Sequence, residues 1–337
     1  MVRLKDIAFQ AGVSVMTVSK ALRNAPDVST ATKTRINILA QRMGYVPDCF
    51  AQALRTRKSR LFGLVISAMT NPVFSRVVLA IEERAHELGY DVLLAHTLSN
   101  TEREEVSIRR LLSRRVDGLF ISPVYRMGSE ARAYQEILAS KTPTVVLGHT
   151  APFCQQFVNV ETDDLLAGYA VTHHLIKLGH KRIAFFAGPA AAPWHQERFE
   201  GYRRALREFG LDVDDKLVFQ AGRTIEDGAK AALQLINETS GVTAVQAIND
   251  MVAVGCLKVL AEQGVKVPDQ VSVAGFGNIL LSEHCRVPLT TVRQPKFTLG
   301  TAAMDSMVKL LRDEQPESRR FPAELIIRAS TAAAPST

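Results

Sequence analysis

The residues best suited to intermolecular chemistry lie in the first sixth of the 337-residue chain. Residues 1–58 hold ten bases (Arg3, Lys5, Lys20, Arg23, Lys33, Arg35, Arg42, Arg55, Arg57 and Lys58) against three acids, Asp6, Asp27 and Asp48. The whole chain has 41 Lys and Arg, 34 Asp and Glu, and a formal charge of +7. The remaining 31 bases and 31 acids therefore cancel, and the excess positive charge belongs to this one segment. A polyanionic partner is the natural inference. Within the segment, Val15, Met16, Thr17, Ser19 and Lys20 fall on or near one outer helical face. On that face Val15 and Met16 offer apolar contact only, and Lys20 offers a cationic donor.

Short helices must position these groups. Leu4, Ile7, Ala8 and Ala11 recur at helical spacing, and Gly12 breaks the run. Ser14 is a ready N-cap for a second helix, whose buried stripe is Val18, Ala21 and Leu22. Two helices joined by a tight glycine turn follow the helix-turn-helix plan. A third helix starts at Ser29, with Ile36, Leu39, Ala40 and Met43 as its apolar face, and closes at Gly44. Three small helices with one free face make a DNA reader. Val15 and Met16 can then read thymine methyls or groove shape, and Lys20 can reach guanine. A helical cap or a solubilising tail would not need charge patterned on folded helices. Pro47 biases Val46 away from helix and ends the headpiece. Residues 48–59, DCFAQALRTRKS, form either a short helix, marginal alone, or a plain linker.

From Leu61 a strand–helix rhythm begins, and it restarts after Val160. LFGLVIS, YDVLLAH, DGLFIS and PTVVLGH read as buried strands in the first half, and RIAFFAG, LVF, TAVQAIN and QVSVAGF in the second. Helical patterns separate them. Apolar strands alternating with helices mean parallel sheets covered on both faces, here in two similar subdomains. A ligand would lie at the carboxyl ends of the strands. Hydrophobic content of 47% with 22% charged residues is globular.

No catalytic set emerges. The chain lacks a dinucleotide-type glycine pattern, a phosphate-loop lysine motif and a serine elbow. His173 and His174 are adjacent and cannot share a helix face, and His180 lies beyond Gly179, so capping or core roles are expected of them. The cysteines, Cys49, Cys154, Cys256 and Cys285, have no metal or redox spacing. No catalytic residue, metal or cofactor is expected. MVRLKDIAF lacks an export signal's apolar stretch, and no run is long enough to cross a membrane. A cytoplasmic protein is expected, which argues against an exported solute-binding protein.

AGVSVMTVSKAL, DVSTATKTRINILAQRMGYVPD and AQALRTRKS together resemble the lactose-repressor (LacI/GalR) family of bacterial transcription regulators. The likeness continues in order through TNPVF, LGYDVLLA, VDGLFISP, HHLIKLGHKRIAF, ERFEGYRRAL, AINDMVAVG, VSVAGF, PLTTVRQP and LIIRAST. It implies a three-helix helix-turn-helix headpiece (1–46), a hinge helix (47–59) and an α/β effector domain like the periplasmic binding proteins. The N-subdomain would be 60–160 with 292–320, and the C-subdomain 161–291 with 321–331. It also implies a homodimer on a near-palindromic double-stranded operator, acting as a repressor controlled by a sugar-like effector. The chemical alternative is a cytoplasmic sugar-modifying enzyme with a helical appendage. After LIIRAS only TAAAPST remains, so no tetramerisation helix is expected.

The expected DNA contacts are Arg3, Ser14, Val15, Met16, Thr17, Ser19, Lys20, Asn24, Ser29, Thr32 and Tyr45. Ala51, Gln52, Leu54 and Arg55 join them from the hinge, where Leu54 matches the family's minor-groove wedge. In the cleft, Arg198, Gly201 and Tyr202 match an R-x-x-G-aromatic pattern, and Arg198 is expected to grip the effector. Asn249 and Asp250 match an effector-contacting pair, although Asp250 could equally cap a helix. Asn71, Phe74, Ser122 and His149 follow strands of the first subdomain; Phe74 serves either stacking or the core. Gly277, with Asn278 next, stands where the family usually has an aspartate, and Arg223 where an aromatic is common. Trp194 could replace that aromatic. Arg198 and Arg223 without a carboxylate partner would favour an anionic sugar; otherwise Arg223 points to solvent and neutral sugars bind through Asn249 and Asn278.

Overall fold

Serine caps shape the first of two units. A computed structural model describes residues 2–46 and 58–335, and the chain divides at Ser59/Arg60. Ala51, Gln52, Leu54 and Arg55, with the rest of the expected hinge up to residue 57, lie outside the described residues. Helix α1 (Leu4–Ala11) ends at Gly12 in the left-handed conformation. Helix α2 (Val15–Leu22) starts at Ser14, whose Oγ accepts the Thr17 N–H at 3.1 Å. Helix α3 (Thr30–Arg42) repeats the device: Ser29 Oγ accepts from the Thr32 N–H at 3.3 Å. Ile7, Ala8, Val18, Ala21, Ile36 and Ala40 meet in a small buried core, with Tyr45 packed at its edge.

The second unit alternates strands and helices. Its elements run β1 (Leu61–Ile66), α4 (Pro72–Glu87), β2 (Asp91–His96), α5 (Thr101–Ser113), β3 (Gly118–Ile121), α6 (Arg132–Ser140), β4 (Thr144–Leu147) and β5 (Val158–Thr162). Then come α7 (Asp164–Lys177), β6 (Ile183–Ala187), α8 (Pro193–Glu208), β7 (Val218–Gln220), α9 (Ile225–Glu238), β8 (Ala244–Ala247), α10 (Asp250–Glu262) and β9 (Ser272–Gly277). The chain closes with α11 (Leu280–His284), β10 (Thr290–Arg293), α12 (Lys296–Leu310), β11 (Arg319–Phe321) and β12 (Glu324–Ile326).

These strands build two sheets, ordered β11-β5-β4-β3-β1-β2 and β12-β10-β9-β8-β6-β7. Each contains the doubly wound order 2-1-3-4-5 and is extended by one late strand, so β11 and β12 tie the chain's end to both lobes. All neighbours are parallel except β12, which runs antiparallel to β10 and departs from the all-parallel expectation. Side chains alternate across the first sheet. Phe62, Leu64 and Ile66 pack on one face with Val77 and Ile81 of α4 and Met304 and Met307 of α12. Val65 faces the other way, with Ile108, Leu111, Tyr134 and Ile137. Burial on both faces explains the continuous apolar runs. The second sheet has its own core around Phe185, Phe186, Val245, Val252, Val273 and Phe276.

Small residues bring paired helices close. A Cβ on Gly201 of α8 would come within 2.3 Å of the Leu165 carbonyl oxygen of α7, and one on Gly168 within 2.6 Å of the Arg198 carbonyl oxygen. Gly228 and Gly255 do the same for α9 and α10, at 2.1 and 2.0 Å. The two contacts bring the starts of α7 and α8, and of α9 and α10, side by side at the strands' carboxyl ends.

Candidate functional sites

The outer face of α2 carries Val15 and Met16, 46% and 63% exposed, so two apolar side chains stand in water beside polar neighbours. Thr17, Ser19 and Lys20 are half-buried, and Arg3 and Asn24 are exposed. Ser14 and Thr17 share a hydroxyl contact of 2.9 Å, as do Ser29 and Thr32, so these side chains are engaged as caps. Their helix starts still present backbone N–H groups suited to phosphate. Lys20, expected to reach guanine, has a partner within the headpiece. Its Nζ is 2.5 Å from Asp27 Oδ2, and that hydrogen bond holds the Asp27 carboxyl below its ordinary value. Lys20 must exchange Asp27 for any base, which an exposed pair permits. Asn24 has a positive φ of 57° at the end of α2, and its carbonyl accepts from Lys33 at 3.3 Å. Tyr45 belongs mainly to the headpiece core.

A cavity of about 560 Å³ opens at the carboxyl ends of both sheets. Asn71, Phe74, Ser122, His149, Trp194, Arg198, Arg223 and Asn249 all line it. Gly277 and Asn278 do not, which corrects their assignment. Asn278 Oδ1 accepts from Arg328 at 2.8 Å and its carbonyl from Lys296 Nζ at 2.8 Å, so the residue braces the end of β9 from outside the lining.

Arg198 is buried, and it is not alone. Its Nε donates to Asp164 Oδ1 at 2.7 Å and its Nη1 to the Ile248 carbonyl at 2.7 Å. The guanidinium rests on Phe276 at 3.5 Å and Trp194 at 4.9 Å from the ring centres. Burial lowers its affinity for a proton, and Asp164 opposes that. Asp164 itself is raised by burial, with Arg198 pulling the other way. The expectation of two arginines without a carboxylate is therefore corrected: Arg198 has one. Sequence reasoning missed Asp164. Its signal was a second acid at the start of α7, directly after the Asp163 that caps it.

Arg223 lines the cavity instead of pointing to solvent. Its Nη1 donates to Ser99 Oγ at 3.2 Å, and its guanidinium lies 5.4 Å from the Trp194 ring. Trp194 thus carries both cations, a different task from the open platform expected of it. Asn249, not Asp250, caps α10, through an Oδ1 that accepts the Val252 N–H at 2.9 Å. Asp250 is buried and accepts from Thr291 Oγ1 at 2.5 Å and the Ile279 N–H at 2.9 Å. Asn71 similarly caps α4.

His149 sits among carboxylates from both lobes. Its Nδ1 is 3.6 Å from Asp164 and 3.9 Å from Glu161. Its Nε2 is 3.1 Å from Glu197, close enough for an ion pair but off the line of a good hydrogen bond. Burial alone would lower its pKa, yet the three acids outweigh that and hold it above the ordinary value. Among the described residues no three His, Cys, Asp or Glu are grouped as metal ligands, Cys154, Cys256 and Cys285 are free thiols, and no helix is long and apolar enough to cross a membrane.

Known proteins share this whole plan. The family model described as "Bacterial regulatory proteins, lacI family" matches residues 3–48, and "Periplasmic binding proteins and sugar binding domain of LacI family" matches 59–329. The HTH-type transcriptional repressor CytR of Escherichia coli (strain K12) is 34% identical over 336 residues, covering 98% of this chain and 97% of that protein. The lac repressor dimer bound to operator and the anti-inducer ONPF superposes with a TM-score of 0.87 at 27% identity, covering 98% and 99% of the two chains. The transcriptional regulator CelR–cellobiose complex gives a TM-score of 0.73 at 28% identity, covering 98% of this chain and 100% of that one. Family and relatives alike are DNA-binding regulators rather than enzymes. With both family models matching in order across nearly its whole length, the chain belongs to the LacI family of bacterial regulatory proteins and is a DNA-binding transcription regulator.

Proposed function

We propose that this regulator is a cytoplasmic homodimeric repressor whose operator affinity is set by a sugar or sugar derivative bound in the cleft. The observation that carries the reading is the cleft itself. A cavity of about 560 Å³ at the carboxyl ends of two doubly wound sheets contains a buried arginine fixed by Asp164 and flanked by aromatic rings. That is where open α/β sheets bind small ligands. The solved complex with cellobiose supports a sugar in such a domain, and the solved operator-bound dimer supports two headpieces on one operator.

In this reading the lobes are the two sheets with their helices, roughly residues 60–162 with 296–321 and residues 163–293 with 324–331. Val15 and Met16 read bases, and Arg3, Thr17, Ser19 and Asn24 with the helix starts at Ser14 and Ser29 hold phosphates. Asn71, Phe74, Ser122 and His149 meet the effector from one lobe, and Trp194, Arg198, Arg223 and Asn249 from the other. Fluorescence anisotropy of a labelled, selected operator, with and without candidate sugars, tests the proposal. One sugar should change operator affinity, and sedimentation should show a dimer. No response to any sugar, or a monomer on DNA, contradicts it.

A further inference from the structure

Among the described residues, Arg223 is the cleft-wall cation without a carboxylate partner. Among the described residues, the acids of the lining are otherwise engaged or solvated. Asp164 is held by Arg198 at 2.7 Å. Glu161 has Asn159 Nδ2 at 2.8 Å and Arg320 at 3.6 Å. Asp250 takes Thr291 and the Ile279 N–H, and Glu226 is exposed. Among the described residues, the Arg223 guanidinium has uncharged partners: the Ser99 hydroxyl at 3.2 Å, the Trp194 ring at 5.4 Å and the Tyr125 phenol.

Its backbone is fixed on both sides. The Arg223 N–H donates to Asp227 Oδ2 at 3.0 Å, and its carbonyl accepts from Asn249 Nδ2 at 3.2 Å. The fork is therefore presented from a rigid collar just before α9, and less of its freedom remains to be lost on binding. Burial lowers the Arg223 guanidinium from its ordinary value, and Tyr125 offsets that only in part. Arg198 cannot serve as the same kind of fork, because its Nε and Nη1 already donate to Asp164 and Ile248. A planar guanidinium with free donors matches a carboxylate or phosphate in two parallel hydrogen bonds.

We propose that the effector carries an anionic group, a carboxylate or a phosphate, which Arg223 grips against the Ser99 hydroxyl. Ser99 follows β2 and Arg223 precedes α9, so the two belong to opposite lobes, and an anion held between them ties the lobes together. The inference rests on the cleft being the effector site, as proposed above.

The test uses the full-length protein and matched probes: glucose, glucuronate and glucose 6-phosphate; ribose and ribose 5-phosphate; and inorganic phosphate. Calorimetry should find an anionic sugar bound more tightly than its neutral parent. Arg223→Gln should remove that advantage, a loss of roughly ten- to a hundredfold for a hydrogen-bonded charge. Arg223→Lys, which keeps the charge and loses the fork, should retain part of it. A neutral parent bound as tightly as its acid or ester, an unchanged preference in Arg223→Gln, or no anionic sugar bound would overturn the proposal. Operator affinity, measured alongside, separates the two readings. A neutral sugar that shifts operator affinity equally in wild type and Arg223→Gln overturns the anion and keeps the regulated repressor. Operator affinity that ignores both classes counts against both.

Discussion

Arg198 Nε meets Asp164 Oδ1 at 2.7 Å because Gly168 and Gly201 let their two helices touch. Both side chains are buried, so the pair is costly to break from one side. Asp164→Ala leaves an uncompensated cation and should destabilise the protein by about 3–5 kcal/mol. Asp164→Leu with Arg198→Met should recover much of that loss. Urea denaturation of the single and double variants measures both. A single-variant cost below about 1 kcal/mol would mean that water or a neighbour replaces the partner.

How much of this was legible in the sequence depends on where each residue's partners lie. Ser14, Ser29 and Gly12 announced the headpiece because caps and stops act on residues a few positions away. The strand–helix rhythm announced two layered lobes because burial on both faces leaves unbroken apolar runs. Eight of the ten expected cleft residues line the cavity: Asn71, Phe74, Ser122 and His149 follow strands that those runs locate, and Trp194, Arg198, Arg223 and Asn249 were placed by the family resemblance. Asp164 was not legible: 34 residues separate it from Arg198, and only the crossing of α7 and α8 brings them together. Asn278, offered by the resemblance where the family usually has an aspartate, lies outside the lining, and Arg328, 50 residues on, holds its side chain there. The antiparallel β12 was likewise hidden, because strand direction depends on which neighbour a late strand finds.

His149 gives the cleft a pH dependence of definite sign. Its pKa is raised in the folded protein by Glu197, Asp164 and Glu161, which outweigh burial. Its stabilising contribution is therefore full below the unfolded value of about 6.5 and is lost as pH rises through the folded value. The stability difference between wild type and His149→Gln should be larger at about pH 6 than at about pH 9. Urea midpoints at the two pH values check this, and a difference that grows with pH would refute it.

Confinement of the excess charge to residues 1–58 makes operator binding an electrostatic event at first contact. If a dimer neutralises roughly six to ten phosphates, affinity should fall about a thousandfold or more between about 50 and about 200 mM salt. Anisotropy titrations across that range give the slope. A flat slope is incompatible with the charge argument.

Val15 and Met16 have no strong hydrogen-bonding side-chain groups, so their readout is of methyls and shape. Exchanging both for the uncharged Gln and Asn should change the operator recovered by in vitro selection and leave nonspecific affinity within about threefold, since phosphate contacts supply that term. Identical selected operators from wild type and the double variant would remove these residues from the recognition face.

In the proposed function the cleft and the headpiece are energetically coupled. Such coupling is reciprocal: the factor by which effector changes operator affinity must equal the factor by which operator changes effector affinity. The most direct measurement is a closed thermodynamic box on the full-length protein. Operator affinity is taken with and without saturating effector, and effector affinity with and without saturating operator. Matching factors of roughly five- to 150-fold, the usual size of such couplings, are expected. Factors of one on both sides, with operator and effector each bound, would show two independent sites on one chain and contradict the coupling.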